Sequence, residues 1–140
     1  EGSLLDWCEI KPNSKVLSAI ETLEDQNIDR AEIKIEHDMK DIDYACFDAE
    51  FAVAENGAFL THGEDFKFRS LYFLAQHLIV RIKKSRILNN MHEAYAELGK
   101  MKTGSFTGFI SGPSKTADIE QCLVIGAHGA RSLQVLIVED

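Results

Sequence analysis

Residues 77–82 read His-Leu-Ile-Val-Arg-Ile, a near-continuous apolar run, and no other stretch narrows the fold so far. A strand wet on one face alternates apolar with polar side chains. One that is apolar nearly throughout needs cover on both faces, as strands of a buried parallel sheet have. From this run onward strands and helices alternate. Residues 85–98 carry Ile87, Leu88, Met91, Tyr95 and Leu98 at helical spacing, and Gly99 can end that helix. Residues 105–111 read as the next strand, residues 116–126 as the next helical segment with Gly126 near its end, and residues 133–138 as the closing strand. This order predicts an α/β fold: an open, mainly parallel, Rossmann-like sheet flanked by helices and joined by right-handed crossovers.

The first half is less regular. After Pro12, residues 13–27 place Val16, Ile20 and Leu23 on one face, with Asn13 or Ser14 as caps, which predicts an amphipathic helix. Residues 31–37 alternate around Ile33 and Ile35 as a half-buried strand does, and Ile42 to Phe47 is a second strand, with a charged link over 38–41 between them. Residues 50–54 and 58–62 are strand-like runs separated by Glu55, Asn56 and Gly57. Asn-Gly between such runs predicts a short hairpin at Asn56-Gly57 with a type I′ turn, in which both central residues take positive φ.

Composition sets the frame for function. A chain of 140 residues that is 45% hydrophobic fits a single domain over residues 1–140. With 23 acidic and 15 basic residues its net charge is −8, which argues against nucleic acid as a partner. The densest basic group, Arg81, Lys83, Lys84 and Arg86, reads as a solvated rim at a strand-to-helix junction. Cys8, Cys46 and Cys122 are odd in number and far apart, so neither a disulfide framework nor a local metal or iron–sulfur ligand set follows, and a reducing cytoplasm is expected. The longest greasy stretch, from Leu71, is broken by Gln76 and His77 and is too short to span a bilayer. No secretory h-region stands near Glu1, and a start at Glu rather than Met is expected of a processed or trimmed terminus.

Two segments carry candidate chemistry. In an open α/β sheet, ligands gather where strand ends lead into helix N-termini, and residues 109–120, Phe-Ile-Ser-Gly-Pro-Ser-Lys-Thr-Ala-Asp-Ile-Glu, read as such a place. Gly112 permits a sharp turn, Pro113 fixes φ, and Ser114 or Thr116 can cap a helix or offer a hydroxyl to an anion beside Lys115. Asp118 and Glu120 follow in the first turn and satisfy the helix dipole themselves, so capping and anion binding compete. The second segment is Ala-Glu-Asn-Gly at 54–57, where Glu55 is either a polar hairpin end or a carboxylate placed as general base or acyl nucleophile.

His128, in the Gly-rich turn over 126–132, either lines the same pocket or serves the turn. Arg69 and Arg131 are lone cations that fit the surface or could neutralise an anionic ligand. His37, His62, His77, His92 and His128 have no metal-ligand spacing, so no metal is expected. Neither a P-loop nor a Gly-x-Gly-x-x-Gly fingerprint is present.

The Glu-x-Gly turn between short strands, the Gly-Pro-Ser-Lys-Thr-Ala-Asp-Ile-Glu segment and the Gly-x-His-Gly-x-Arg turn before the last strand together resemble the lactate-utilisation protein C family, the LUD domain, over residues 42–140. The family's N-terminal helical region looks shortened here. The resemblance implies the three-layer fold of the ribose phosphate isomerase and CoA-transferase superfamily. It also implies a role as an accessory or ligand-binding subunit beside two iron–sulfur proteins that oxidise L-lactate to pyruvate. Those partners would carry the clusters, and no cofactor would be bound directly. It further implies a small carboxylate or phosphate held by Asn56, Gly57, Gly112, Ser114, Lys115, Thr116 and His128, with Asp118 and Glu120 in support. A homo-oligomer is compatible with it.

The 54–57 turn is also similar to the Ser-Glu-Asn-Gly segment of class I CoA-transferases, whose Glu forms an acyl-CoA anhydride and then a glutamyl thioester. That similarity implies the alternative role for Glu55, a nucleophile in acyl transfer or hydrolysis. Ala54 stands where those enzymes have Ser, and their Gly-rich CoA-binding loop is not evident.

Overall fold

In chain order the strands are β1 (Val16–Ser18), β2 (Tyr44–Asp48), β3 (Ala52–Val53), β4 (Ala58–Gly63), β5 (His77–Lys83), β6 (Ile87–Leu88), β7 (Phe106–Ser111), β8 (Lys115–Thr116), β9 (Val124–Ile125) and β10 (Ser132–Val138). The helices are α1 (Leu71–Leu74) and α2 (Met91–Leu98). This computed structural model describes residues 6, 8–20, 27–29, 31, 33–34, 36–63, 69–102, 106–116, 124–125 and 129–140. Among them no helix is long and apolar enough to cross a membrane.

The expected parallel sheet is present as sheet A, in the order β1-β2-β5-β10, with every neighbouring pair parallel. The inner strands β2 and β5 are largely apolar because both their faces are covered, whereas edge strand β10 leaves Val135 and Ile137 exposed. Leu17, Ala45, Phe47, Leu78 and Val80 face one cluster, while Val16, Tyr44, Cys46 and Ile79 face another. The first cluster also contains Phe59 of β4 and receives Ala52, Phe106 and Ile110, so it joins sheet A to a second sheet. Sheet B runs β6-β3-β4-β7. Its other face buries Phe51, Val53 and Leu60 against Ala94 of α2, with Met91 and Leu98 at the margin.

Five expectations are corrected. Residues 16–18 are strand β1, not helix, and Leu23 lies outside the described residues. Val16 and Ile20 do share a cluster, but a separation of four puts residues on one face of a strand as well as of a helix. Neither expected cap starts a helix: Asn13 takes φ of 62° in a turn, and the Ser14 carbonyl accepts the Asn27 side-chain N–H, while Asn27 Oδ1 accepts the Val16 N–H. Among the described residues no strand forms around Ile33. The Asp38 carboxylate accepts the Lys34 N–H at 2.9 Å, which favours the 3-10 turn at Glu36–Met39, while Ile35 lies outside the described residues.

Ile87 and Leu88 form β6 beside Ala52 and Val53, and the helix starts only at Met91, where the Asn90 side chain accepts the Glu93 N–H. Strand β7 belongs to sheet B, antiparallel to β4. It looks like a parallel strand because Phe106 and Ile110 pack toward sheet A while Phe109 packs toward α2. Finally, Lys115–Thr116 and Val124–Ile125 pair as antiparallel strands, so no helix begins at Ser114–Thr116. Residues 117–123 between them are outside the described set.

Candidate functional site

The β3–β4 hairpin is where the sequence places it, with a four-residue exposed loop over 54–57 in place of the type I′ turn. Only Gly57 takes positive φ, 67°, and its N–H reaches the Val53 carbonyl at 2.9 Å. Asn56 serves the loop through its side chain, whose Oδ1 accepts the Ala58 N–H at 3.0 Å. Glu55 points to the start of α2: its Oε2 accepts the Met91 N–H at 3.0 Å. Beside it the Glu93 carboxylate accepts the Asn89 N–H at 2.9 Å, a bond that holds its pKa below the usual carboxylate range. Glu55 therefore satisfies one of the free N–H groups of a helix N-terminus and sits favourably in its dipole. This engagement is a capping role and counts against a free acyl nucleophile.

From this loop the structure leads directly to the second candidate segment. Ser111, at the end of β7 opposite Ala58, donates its Oγ–H to the Asn56 carbonyl at 2.7 Å. Gly112 follows with φ of 76°, the left-handed turn that its lack of a Cβ permits. The Ser114 N–H then donates to the Ala130 carbonyl at 2.8 Å. A Cβ on Gly129 would lie 3.1 Å from Ser114 Cβ and 3.3 Å from its Oγ, so the two backbones meet closely only because Gly129 has none. Three stretches far apart in sequence thus form one junction: the Asn56 loop, the Ser111–Lys115 turn and the Gly129–Ala130 turn. Lys115 is exposed there, and its ammonium has no ion-pair partner among the described residues. Asp118, Glu120 and His128 lie outside the described residues, as does the side chain of Thr116.

The carboxyl end of sheet A holds a cleft of about 550 Å³ that the sequence reading passed over. Asp48, Glu50, Arg81, Lys83, Arg86 and Glu139 line it. Arg81 donates to Asp48 through Nε at 2.6 Å and Nη2 at 2.7 Å, a bidentate pair that also raises the Arg81 pKa. Arg86 donates to the Glu50 carbonyl and, through Nη1 at 3.2 Å, to Glu97. Lys100 and Arg86 keep Glu97 below the usual carboxylate range. The signal was available, since the polar residues that close the β2 and β5 apolar runs fall at carboxyl ends of parallel strands. Reading them as a solvated rim missed that they pair with one another.

Elsewhere, His77 stacks on Tyr44 with ring centroids 4.7 Å apart and meets Ser132 Oγ at 2.7 Å; burial lowers its pKa. The Cys46 thiol is fully buried and pushed up to about 12, by burial and then by Cys8.

Comparison with known proteins follows the same lines. The LUD domain family matches residues 11–138. "Lactate utilization protein C" of Bacillus pumilus is 32% identical over 102 residues, covering 69% of this chain and 42% of that protein. The protein of the same name from Halalkalibacterium halodurans is 37% identical over 97 residues, covering 66% of this chain and 42% of that one. The chain thus spans less than half the length of these relatives. A solved structure, a DUF162 family protein from Deinococcus radiodurans, is similar at a TM-score of 0.49 and 18% identity, over 75% of this chain and 58% of that one.

Proposed function

The chain belongs to the LUD domain family, and from that premise we propose that it serves lactate utilisation, as an accessory or ligand-binding subunit of an iron–sulfur system that oxidises L-lactate to pyruvate. The single observation behind the site is the junction tied by the Ser111–Asn56 and Ser114–Ala130 hydrogen bonds, which gathers parts of all three signature segments around Lys115, a cation with no ion-pair partner among the described residues. A small carboxylate or phosphate is held there by the Lys115 ammonium and the Ser114 hydroxyl, and the sequence signature adds the Thr116 hydroxyl and His128 as further contacts. Asn56, Gly57 and Gly112 shape the backbone around it, and Asp118 and Glu120 orient their neighbours.

Oxidising lactate to pyruvate removes two electrons and two protons, and the electrons pass to clusters on two partner proteins. A cluster is held by a set of cysteine thiolates, and Cys8, Cys46 and Cys122 are only three and far apart in sequence. That chemistry supports clusters carried by the partners. The cytoplasm is the compartment that suits both.

The test is genetic and biochemical. Deleting the gene should abolish growth on L-lactate, the wild-type gene should restore it, and the tagged protein should co-purify with iron–sulfur proteins. Growth on L-lactate that survives deletion, with no such partners recovered, would refute the reading. A Lys115→Ala gene that restores growth as fully as wild type would refute the site alone.

A further inference from the structure

Sheet A ends in two edge strands that the fold treats differently. At β1 the rim is occupied: Asn27 Oδ1 accepts the Val16 N–H at 2.7 Å, and the Asn27 N–H donates to the Val16 carbonyl at 3.2 Å. β10 is seven residues long, and no described strand pairs with its far side. Alternation along β5 shows which groups face outward there. The His77 N–H goes to Asp43, and the Arg81 carbonyl receives the Ala49 N–H, so odd-numbered residues of β5 serve β2 and even-numbered ones serve β10. With Leu133 opposite Leu78, the residues of β10 that answer are Ser132, Gln134, Leu136 and Val138. The N–H and C=O groups of Leu133, Val135 and Ile137 face the far rim, where no described strand meets them. Val135 and Ile137 also leave 45% and 60% of their surface exposed. A long apolar strand with an open rim is a template for another strand.

The strand is complementary to itself when reversed. With Val135 on a two-fold axis, Leu133 of each copy faces Ile137 of the other and Gln134 faces Leu136. One residue beyond each end, Arg131 faces Glu139. Aliphatic and opposite-charge cross-strand pairs both stabilise such a contact. Arg131 is exposed and has no ion-pair partner among the described residues. Among the described residues Glu139 is held only by Lys84, at 3.4 Å with both side chains largely in water, and is available to share. A two-residue slip sets Arg131 against Ile137 and loses the charge match. We infer that β10 pairs antiparallel with β10 of a second copy, joining two sheets A into one continuous sheet through an isologous contact. Such a contact is small, so the dimer is reversible.

Sedimentation velocity of the chain over a roughly hundredfold concentration range should follow a monomer passing to a dimer. Val135→Lys sets two like charges on the axis and should leave a monomer throughout, with an unchanged circular dichroism spectrum. Arg131→Glu should weaken the dimer about tenfold, and Arg131→Glu with Glu139→Arg should recover to within about threefold of wild type, a rescue that holds even if the lysine variant fails to fold. Amide exchange at Leu133, Val135 and Ile137 should slow as the dimer forms, while Gln134 and Leu136 stay protected throughout. A monomer at every concentration, or a double swap no better than the single one, would overturn the inference.

Discussion

The carboxyl end of sheet A and the turn end of sheet B are both rich in polar groups, and they use them in opposite ways. At the first, three cations and three acidic side chains line one cleft; Arg81 and Arg86 pair with Asp48 and Glu97, and Lys84 beside it with Glu139, while Lys83 has no ion-pair partner among the described residues. At the second, Ser111, Asn56 and the Ser114 N–H tie backbone to backbone, and Lys115 is left without a counter-ion among the described residues. Charge is denser at the first and its two arginines are matched by carboxylates, whereas at the second, among the described residues, an unmatched Lys115 stands beside a backbone tied by hydrogen bonds. A binding site needs the latter, since a cation already matched by a protein carboxylate gains little from a ligand's.

Four substitutions sharpen or break that contrast. Phe59→Ala empties the cluster that the two sheets share and should cost about 3–5 kcal/mol in urea unfolding. Both ends should melt in one transition. A 54–57 loop that loses amide protection while β5 keeps it would mean that the sheets do not share a core.

Gly129→Ala drives a Cβ against Ser114 and should cost about 1–3 kcal/mol, shifting the amide resonances of Ser114 and Ala130 while leaving those of Asp48 and Arg81 in place. Arg81→Ala removes the bidentate partner of a half-exposed Asp48 and should cost about 1 kcal/mol in the same unfolding assay, with no effect on anion affinity. Glu55→Gln is the smallest, about 0.3–1 kcal/mol, because it removes only the carboxylate charge from the α2 N-terminus. Its readout is the exchange rate of the α2 amides; unchanged rates would remove Glu55 from the capping role.

The parallel sheet was legible because its strands answer one strong constraint. Cover on both faces demands a long apolar run, and His77–Lys83 provides it; Ser132–Val138 reads alike although Val135 and Ile137 stay exposed at the sheet edge. The short strands were not. Two-residue β6 and three-residue β1 carry too few side chains to separate a period of two from one of 3.6, and the four-residue spacing of Val16 and Ile20 satisfies both. Phe106–Ser111 was legible as a strand and not as a member of sheet B, since a strand covered on both faces looks alike in either sheet. At the candidate site, the Gly57 and Gly112 turns were visible as residues that tolerate positive φ. The contact of Gly129 with Ser114 was not, because nothing local links positions 15 residues apart that meet only when β10 docks beside β5.

The most direct test is amide chemical-shift mapping of the isotope-labelled chain titrated in turn with L-lactate, pyruvate and inorganic phosphate. At least one of them should perturb Asn56, Gly57, Ser111, Ser114, Lys115 and Ala130 in a saturable way while leaving Asp48, Arg81, Lys83 and Arg86 unmoved. Perturbation centred on the Asp48–Arg81 cleft, or none at the junction with any of the three, would contradict the account.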